Sequence, residues 1–321
     1  MRWIAVLLAI AAFSISAFAL GERATLIRQA NIYLAPDVNS NKLAEVPRGS
    51  DLVILEGSGK FLHVEATMES PMRTEDAAFD EEQAPPRTIS GWMLDKGIVR
   101  AGTPNADRIV YGEAVDSEDQ ASRRHGRRGA DRDALRLYYA VYELFPASPL
   151  AGDALYRAAD IRWQVEKADV NSRPSARQRE AYLRIGMNED WMRMVIKKFP
   201  GSKWADLASF QLIDNKLCGD WQGSSKCPDK EAEMYEKYAA EHPQSPDAPQ
   251  ALYNAATRRA ALIEIYKSED QAKKSDESRG KALALVQKLL SQYPQSDYAP
   301  RAQDLEFKVQ QNIPTYGNAI D

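Results

Sequence analysis

The chain has 321 residues, of which 44% are hydrophobic and 27% are charged, so it is long enough to form two domains with cores of their own. Its formal net charge of −4 argues against nucleic acid as a general partner. The hydrophobic fraction also excludes a chain that is disordered throughout.

The first 19 residues have the organisation of a secretory signal peptide. Arg2 precedes an apolar run at 3–20, and Ala17-Phe18-Ala19 is the small-x-small pattern that signal peptidase cuts. We therefore predict cleavage after Ala19 and a periplasmic or secreted mature protein. An uncleaved anchor is the alternative, because the run is close to the minimum for a spanning helix. No cysteine follows the run, so we expect no lipidation, and we expect no transmembrane segment after cleavage.

Residues 24–101 predict a small β-barrel. Alternating or β-branched runs are separated by turn residues at a spacing of about ten residues, which is typical of a small all-β barrel or sandwich. The predicted strands are 30–34, 42–46, 51–55 and 61–65.

These residues resemble the bacterial SH3-like domain. The shared features are an Asn-aliphatic-x-x-x-Pro start, a glycine before a β-branched strand, an aromatic-led strand and a closing Gly-Trp-aliphatic. In this chain they are Asn31-Ile32 with Pro36, Gly49, Phe61-Leu62-His63-Val64, and Gly91-Trp92-Met93-Leu94. The resemblance implies binding of cell-wall components or peptides.

Three aromatic residues, Tyr33, Phe61 and Trp92, are the candidate binding residues of this domain. His63 lies on the aromatic-led strand. We interpret it as a strand residue facing solvent or a neighbour, because no Asp or Cys stands at a useful spacing; a ligand contact is the alternative.

Two charged segments interrupt or follow the predicted barrel. An insertion at 67–88 holds six acidic residues against two arginines, which predicts a solvated loop, with an acidic docking element as the alternative. Residues 102–130 predict a charged linker in which 107–118 can form a short helix. Five arginines fall within 123–132. We interpret this patch as solvated, with contact to anionic lipid or an acidic partner as alternatives.

Residues 131–312 contain four copies of Pro-x-Ser-x-x-Ala-x-x-Ala. Successive prolines are 54, 43 and 51 residues apart. The repeat signature consists of Pro146, Ser148, Ala151, Ala154, Pro200, Ser202, Ala205, Ala208, Pro243, Ser245, Ala248, Ala251, Pro294, Ser296, Ala299 and Ala302.

Each part of this signature has a structural role. The proline ends the preceding helix, and the serine is predicted to be the N-cap of the next one. Pro149 and Pro246 are predicted at the first helical position. The two alanines share one helix face, where a neighbouring helix can approach closely. Apolar pairs recur every four residues before each proline, so each unit is predicted to be helix, turn, helix.

The signature resembles the tetratricopeptide-like (TPR-like) repeats of the outer-membrane barrel-assembly lipoprotein and of the Tol-Pal coordinator, and 293–302 matches best. The resemblance implies an all-α helical-repeat solenoid that binds proteins. Extra length falls in polar stretches at 169–179, 215–229 and 268–280, and residues 313–321 form a predicted tail.

Two cysteines, Cys218 and Cys227, flank a Gly/Ser-rich loop. In an exported protein they predict a disulfide, with free thiols as an alternative. A metal site is the remaining alternative, but two cysteines without a neighbouring histidine leave the coordination sphere half empty. Trp163, Trp204 and Trp221 lie off the apolar stripes, and we predict them as exposed contacts for a partner.

The sequence therefore predicts a non-catalytic envelope adaptor that binds other envelope proteins through its repeats. The alternative is a peptidoglycan-binding protein that recruits or regulates a cell-wall enzyme. We expect no cofactor and no catalytic residue, because the sequence has no nucleophile elbow, phosphate loop or metal-spaced ligand set. The three histidines, His63, His125 and His242, stand far apart in the sequence.

Overall fold

The computed structural model describes residues 21–68 and 87–317. The predicted signal peptide, most of the predicted acidic insertion and the last four residues of the predicted tail lie outside the described residues. The chain divides into two compact units, of which the first ends at Ala106 and the second begins at Asp107. In the described ranges, no helix combines the length and the apolarity needed to cross a membrane.

The first unit contains a seven-stranded antiparallel sheet with the order β3-β2-β6-β5-β4-β1-β7. The strands are β1 (Glu22–Leu26), β2 (Ala30–Tyr33), β3 (Lys42–Val46), β4 (Asp51–Ser58), β5 (Phe61–Met68), β6 (Arg87–Leu94) and β7 (Ile98–Arg100). Each of the four predicted strands is present. β4 and β5 are longer than predicted, and β1, β6 and β7 are additional.

One face of this sheet carries the core of the first unit. Leu62, Val64 and Ala66 alternate along β5 and are buried, as the two-residue period of a strand requires. Gly91 permits β2 and β6 to approach closely, because a Cβ there would lie 2.5 Å from the Ile32 side chain and 2.8 Å from the Tyr33 carbonyl oxygen. The opposite face of the sheet presents the residues between the core positions.

The second unit is helical. Its helices in the described residues are α1 (Ala106–Ser122), α2 (Ala130–Leu144), α3 (Ala151–Ser172), α4 (Asp190–Lys198), α5 (Lys203–Gln211), α6 (Lys226–Glu241), α7 (Ala248–Ser268), α8 (Ala272–Gln292) and α9 (Ala299–Gln310). Short 3₁₀ turns occupy Pro174–Arg177, Ala181–Leu183 and Asp214–Lys216.

The four signature prolines stand between α2 and α3, α4 and α5, α6 and α7, and α8 and α9. The residue before each proline has nearly the same conformation, with φ between −125° and −132° and ψ between 53° and 57°. Its carbonyl oxygen accepts a hydrogen bond from the amide of the signature serine, at 2.9–3.2 Å. One turn geometry, which we name the Pro-x-Ser turn, therefore joins all four helix pairs.

Within this unit α2 packs on α3, α3 on α4 and α4 on α5, and likewise α6 on α7, α7 on α8 and α8 on α9. α3 also packs on α5, as α7 does on α9. All eight signature alanines are at most 6% exposed. Their small side chains let the second helix of each pair lie close to its neighbours, which is the predicted role.

The predicted N-cap role of the serine holds only for Ser202, whose hydroxyl accepts from the Ala205 amide at 3.3 Å. In the other three copies the helix begins three residues after the serine, and the hydroxyl accepts from the amide two residues on. Pro149 and Pro246 consequently lie in the turn before the helix, so the prediction of a first helical position was wrong for both.

The short helix predicted at 107–118 is present as the longer helix α1, but α1 packs within the helical unit, so the segment is not simply the charged linker predicted for 102–130. Ala106, Val110 and Ala114 are at most 3% exposed and form an apolar stripe with a four-residue spacing. The Tyr111 hydroxyl donates to Asp153 of α3 at 2.6 Å. In the sequence, the many charged residues of 102–130 make this short apolar stripe hard to recognise.

Candidate functional site

The three candidate binding residues of the sheet share its non-core face. Tyr33 and His63 each stand directly opposite Trp92 on a neighbouring strand, and Phe61 lies two residues before His63 on β5. The rings of His63 and Trp92 are stacked, with centroids 5.0 Å apart and an interplanar angle of 18°. The structure therefore places Tyr33, Phe61 and Trp92 on one face of the sheet and adds His63, whose ring contacts Trp92.

Polar contacts hold the His63 ring in this position. Its Nε2 lies 3.2 Å from the Ser90 hydroxyl, and its Nδ1 lies 3.4 Å from a Glu56 carboxylate oxygen. Ser90 lies inside the extended strand β6, whereas a nucleophilic serine stands on a turn with N–H donors aimed at the oxyanion. The arrangement therefore fits ring stacking better than acyl transfer.

The three predicted tryptophan contacts of the helical unit have different environments. Trp163 is 1% exposed, so the prediction of an exposed contact there was wrong. It continues a four-residue stripe with Leu155 and Ala159 and packs in the core around α3. Trp204 and Trp221 are half-buried and remain partly accessible.

Trp204 belongs to a surface formed by α3, α5 and the turns that lead into α7 and α9, which are the second helices of the repeat pairs and their starts. Its ring stacks on Tyr156, with centroids 5.8 Å apart, and the ammonium of Lys203 lies 4.1 Å from its centroid. It packs over Gly152, where a Cβ would lie 2.8 Å from the indole. We name this surface the second-helix face. It comprises Tyr156, Asp160, Trp204, Gln211, Asp247 and Tyr298, all of them half-buried.

Two carboxylates on the second-helix face have no cationic partner within 4 Å among the described residues. Asp160 accepts hydrogen bonds from Gln164 at 3.1 Å and from Gln211 at 3.4 Å. The Asp247 carboxylate makes no hydrogen bond or ion pair with the described part of the chain. Burial raises the pKa of Asp160, and burial together with the nearby Asp160 raises the pKa of Asp247 to about 6.

Sequence reasoning missed Asp160 and Asp247. Asp160 follows the apolar Ala158-Ala159 pair on α3, and Asp247 stands two residues after a signature serine. Neither position differs in the sequence from an ordinary surface carboxylate. Only the folded structure brings them near enough for the charge of Asp160 to raise the pKa of Asp247.

The Cys218–Cys227 disulfide is present, with Cα atoms 6.1 Å apart. A buried carboxylate organises the loop that it closes. Glu231 is 2% exposed and accepts from the Cys218 amide at 2.9 Å, from the Trp221 indole at 3.2 Å and from Arg258 at 3.0 Å. Trp221 is therefore fixed by its N–H, and its ring also contacts Tyr316.

Within the ranges 21–68 and 87–317, no three His, Cys, Asp or Glu side chains are placed to hold a metal ion. No family model matches the sequence, and no curated protein is significantly similar to it.

Proposed function

We propose that this chain is an exported, non-catalytic adaptor of the bacterial cell envelope that holds a partner protein on its helical unit. In this proposal the sheet is an SH3-like barrel and the helical unit is a TPR-like solenoid. The partner binds along the second-helix face through a segment that carries a lysine or arginine beside apolar groups.

The observation that carries this proposal is the pair of carboxylates at Asp160 and Asp247. Two partly buried negative charges without a cation in contact reduce the stability of the free protein, although Arg157 and Lys167 act on Asp160 from a distance. A cation brought by a partner would neutralise them. Tyr156, Trp204 and Tyr298 supply aromatic surface beside the acids, and aromatic rings attract both cations and apolar side chains.

Site-specific photo-crosslinking in envelopes of the native organism tests the proposal. A photoreactive phenylalanine analogue replaces Tyr298 or Gln211 on the second-helix face, and Lys273 on α8 serves as the control because its side chain is 92% exposed. We expect one protein adduct from both face positions and not from the control. Crosslinks to no protein, or the same adducts from all three positions, would contradict the proposal.

Attachment to the cell wall is a second candidate function, and the aromatic face of the sheet favours it. Stacked aromatic rings such as Trp92 and His63 form a flat apolar platform for a sugar or peptide. The test is co-sedimentation of the full chain with purified sacculi, comparing Trp92→Ala with Val38→Ala, which removes an exposed apolar side chain elsewhere in the first unit. Loss of pelleting in Trp92→Ala alone supports this role, and equal pelleting of both variants contradicts it.

A further inference from the structure

A cavity of about 310 Å³ lies inside the helical unit, away from the second-helix face. The last turns of α3 form one wall, through Lys167 and Val170. The irregular segments on either side of α4 and α5 form the others, through Arg184 and Met187 and through Leu217. This volume is at the low end of the range for small-ligand sites.

Hydrogen bonds hold the two irregular segments together, so the cavity is a fixed part of the fold. The Asn215 side chain accepts from the Met187 amide and donates to the Met187 carbonyl, both at 2.9 Å. The Gly219 amide donates to the Gln178 carbonyl at 3.2 Å. A Cβ at Gly219 would lie 2.5 Å from that carbonyl, so the approach requires glycine. The Cys218–Cys227 disulfide ties the same wall to α6.

Arg184 is the unusual residue of this cavity. Its Nη1 donates to the Leu217 carbonyl at 2.7 Å, which is its single hydrogen bond to the described residues. Its Nε is buried and has no hydrogen-bond partner there, so the donors that a ligand can reach are those of Nη2, which makes no hydrogen bond with the described residues. No carboxylate of the described ranges lies within 4 Å of the guanidinium. A buried donor left without a partner is unfavourable, and on a charged group the penalty is larger.

The remaining charges at the cavity leave it positive. Lys167 pairs with Asp214 at 2.7 Å, so the charge of Arg184 is the one in excess among the lining residues. An arginine presents two parallel N–H groups to one carboxylate. The lining is mixed: besides polar side chains such as Asn171 and Asn215 it includes the apolar side chains of Val170, Met187 and Leu217, which give a short apolar group something to contact.

We infer that this cavity binds a small carboxylate that carries a short apolar group, with the acid on Arg184 and the apolar part against Val170, Met187 and Leu217. Two sources offer this chemistry: a free aliphatic acid and the C-terminal residue of a peptide. The inference is independent of the partner proposed for the second-helix face.

Calorimetric titration of the full mature chain with three probes tests this inference. The probes are isovalerate, N-acetyl-leucine and N-acetyl-leucinamide, which lacks the charge. We expect at least one acid to bind and the amide not to bind. Binding of both acids indicates a free acid as the natural source, and binding of N-acetyl-leucine alone indicates a chain terminus.

Variants of the arginine identify the site. Arg184→Lys should weaken acid binding about tenfold, because lysine keeps the charge and loses the paired donors. Arg184→Gln should abolish it. Arg177→Gln is the matched control, since Arg177 lies exposed in the same irregular segment and does not line the cavity. Equal binding of acid and amide, no binding of either acid, or equal loss in the Arg177 variant overturns the inference. Thermal unfolding of each variant verifies that it is folded.

Discussion

Asp247 has the most perturbed carboxyl group of the second-helix face. Its pKa is raised from 3.8 to about 6, first by burial and then by the negative charge of Asp160. A raised carboxyl pKa means that the folded state holds the proton more tightly than the unfolded state. The resulting stabilisation is fully present below pH 3.8 and is lost as the pH rises through about 6.

The Asp247→Asn variant should therefore be more stable than wild type at pH 7, by about 1 kcal/mol after allowing for solvent screening. The gain should shrink as the pH falls below about 6. Urea unfolding at pH 5 and pH 7 measures it. Asp297→Asn, in the turn before α9, is the control because Asp297 is exposed. A gain of equal size at both pH values would show that charge is not the cause.

Glu231 stabilises the folded state, in contrast to Asp247. Its carboxylate accepts hydrogen bonds from two N–H groups and from the guanidinium of Arg258. Replacing it by glutamine leaves the half-buried Arg258 without its carboxylate and turns an amide N–H₂ toward groups that are themselves donors. We expect Glu231→Gln to lower the free energy of unfolding by about 3 kcal/mol.

Glu233→Gln provides the comparison, since Glu233 lies exposed on the same helix. Urea unfolding followed by tryptophan fluorescence gives both values. Similar stability of the two variants would mean that the Glu231 network does not hold the disulfide loop.

At the scale of elements, the Pro-x-Ser turn is the recurring device, and its four copies differ in what the serine contacts. The Ser245 hydroxyl is buried, lies 2.6 Å from the Tyr238 hydroxyl and accepts from the Asp247 amide. The Ser296 hydroxyl is partly exposed and accepts from the Tyr298 amide. Ser245→Ala should therefore destabilise by about 2 kcal/mol and Ser296→Ala by about 1 kcal/mol, measured by chemical unfolding. The reverse order would contradict the assignment of these contacts.

The segment between α5 and α6 is the second element that can be tested on its own. Its disulfide closes a short loop, for which chain entropy alone gives about 2–3 kcal/mol of stabilisation. We expect unfolding in the presence of dithiothreitol to show a loss of that size. A Cys218→Ala/Cys227→Ala double variant should show the same loss and no further response to the reductant. If dithiothreitol also destabilises the double variant, the loss of stability is not caused by reduction of this disulfide, and the prediction is contradicted.

At the scale of the whole molecule, the sequence predicts periodic features well. The strands predicted at 42–46 and 61–65 are present in the structure. The Pro-x-Ser signature correctly predicted the position of the turn in all four helix pairs. These features follow from local rules: the period of a strand, the missing proline N–H and the burial of small alanines.

Features that depend on tertiary contact could not be predicted in this way. Trp163 is a residue type that often forms exposed contacts with partners. It is buried because it lies on the same face of α3 as the core residues Leu155 and Ala159. In the sequence, Arg184 cannot be distinguished from an ordinary loop arginine. Its place in the cavity depends on how the irregular segments around it fold. Asp160 and Asp247 are far apart in the sequence and meet through packing. The sequence therefore predicts the aromatic residues of the sheet and the helix pairs, whereas the carboxylates of the second-helix face and the cavity around Arg184 are visible only in the structure.

The central claim is that the carboxylates of the second-helix face bind a cationic segment of a partner protein. The most direct test is the affinity of the crosslinked partner for wild type and for Asp160→Asn/Asp247→Asn at neutral pH. Glu233→Gln/Asp276→Asn removes the same number of charges at exposed positions elsewhere on the unit. We expect about tenfold weaker binding for the face variant and little change for the control. Equal affinity of wild type and the face variant would contradict the account.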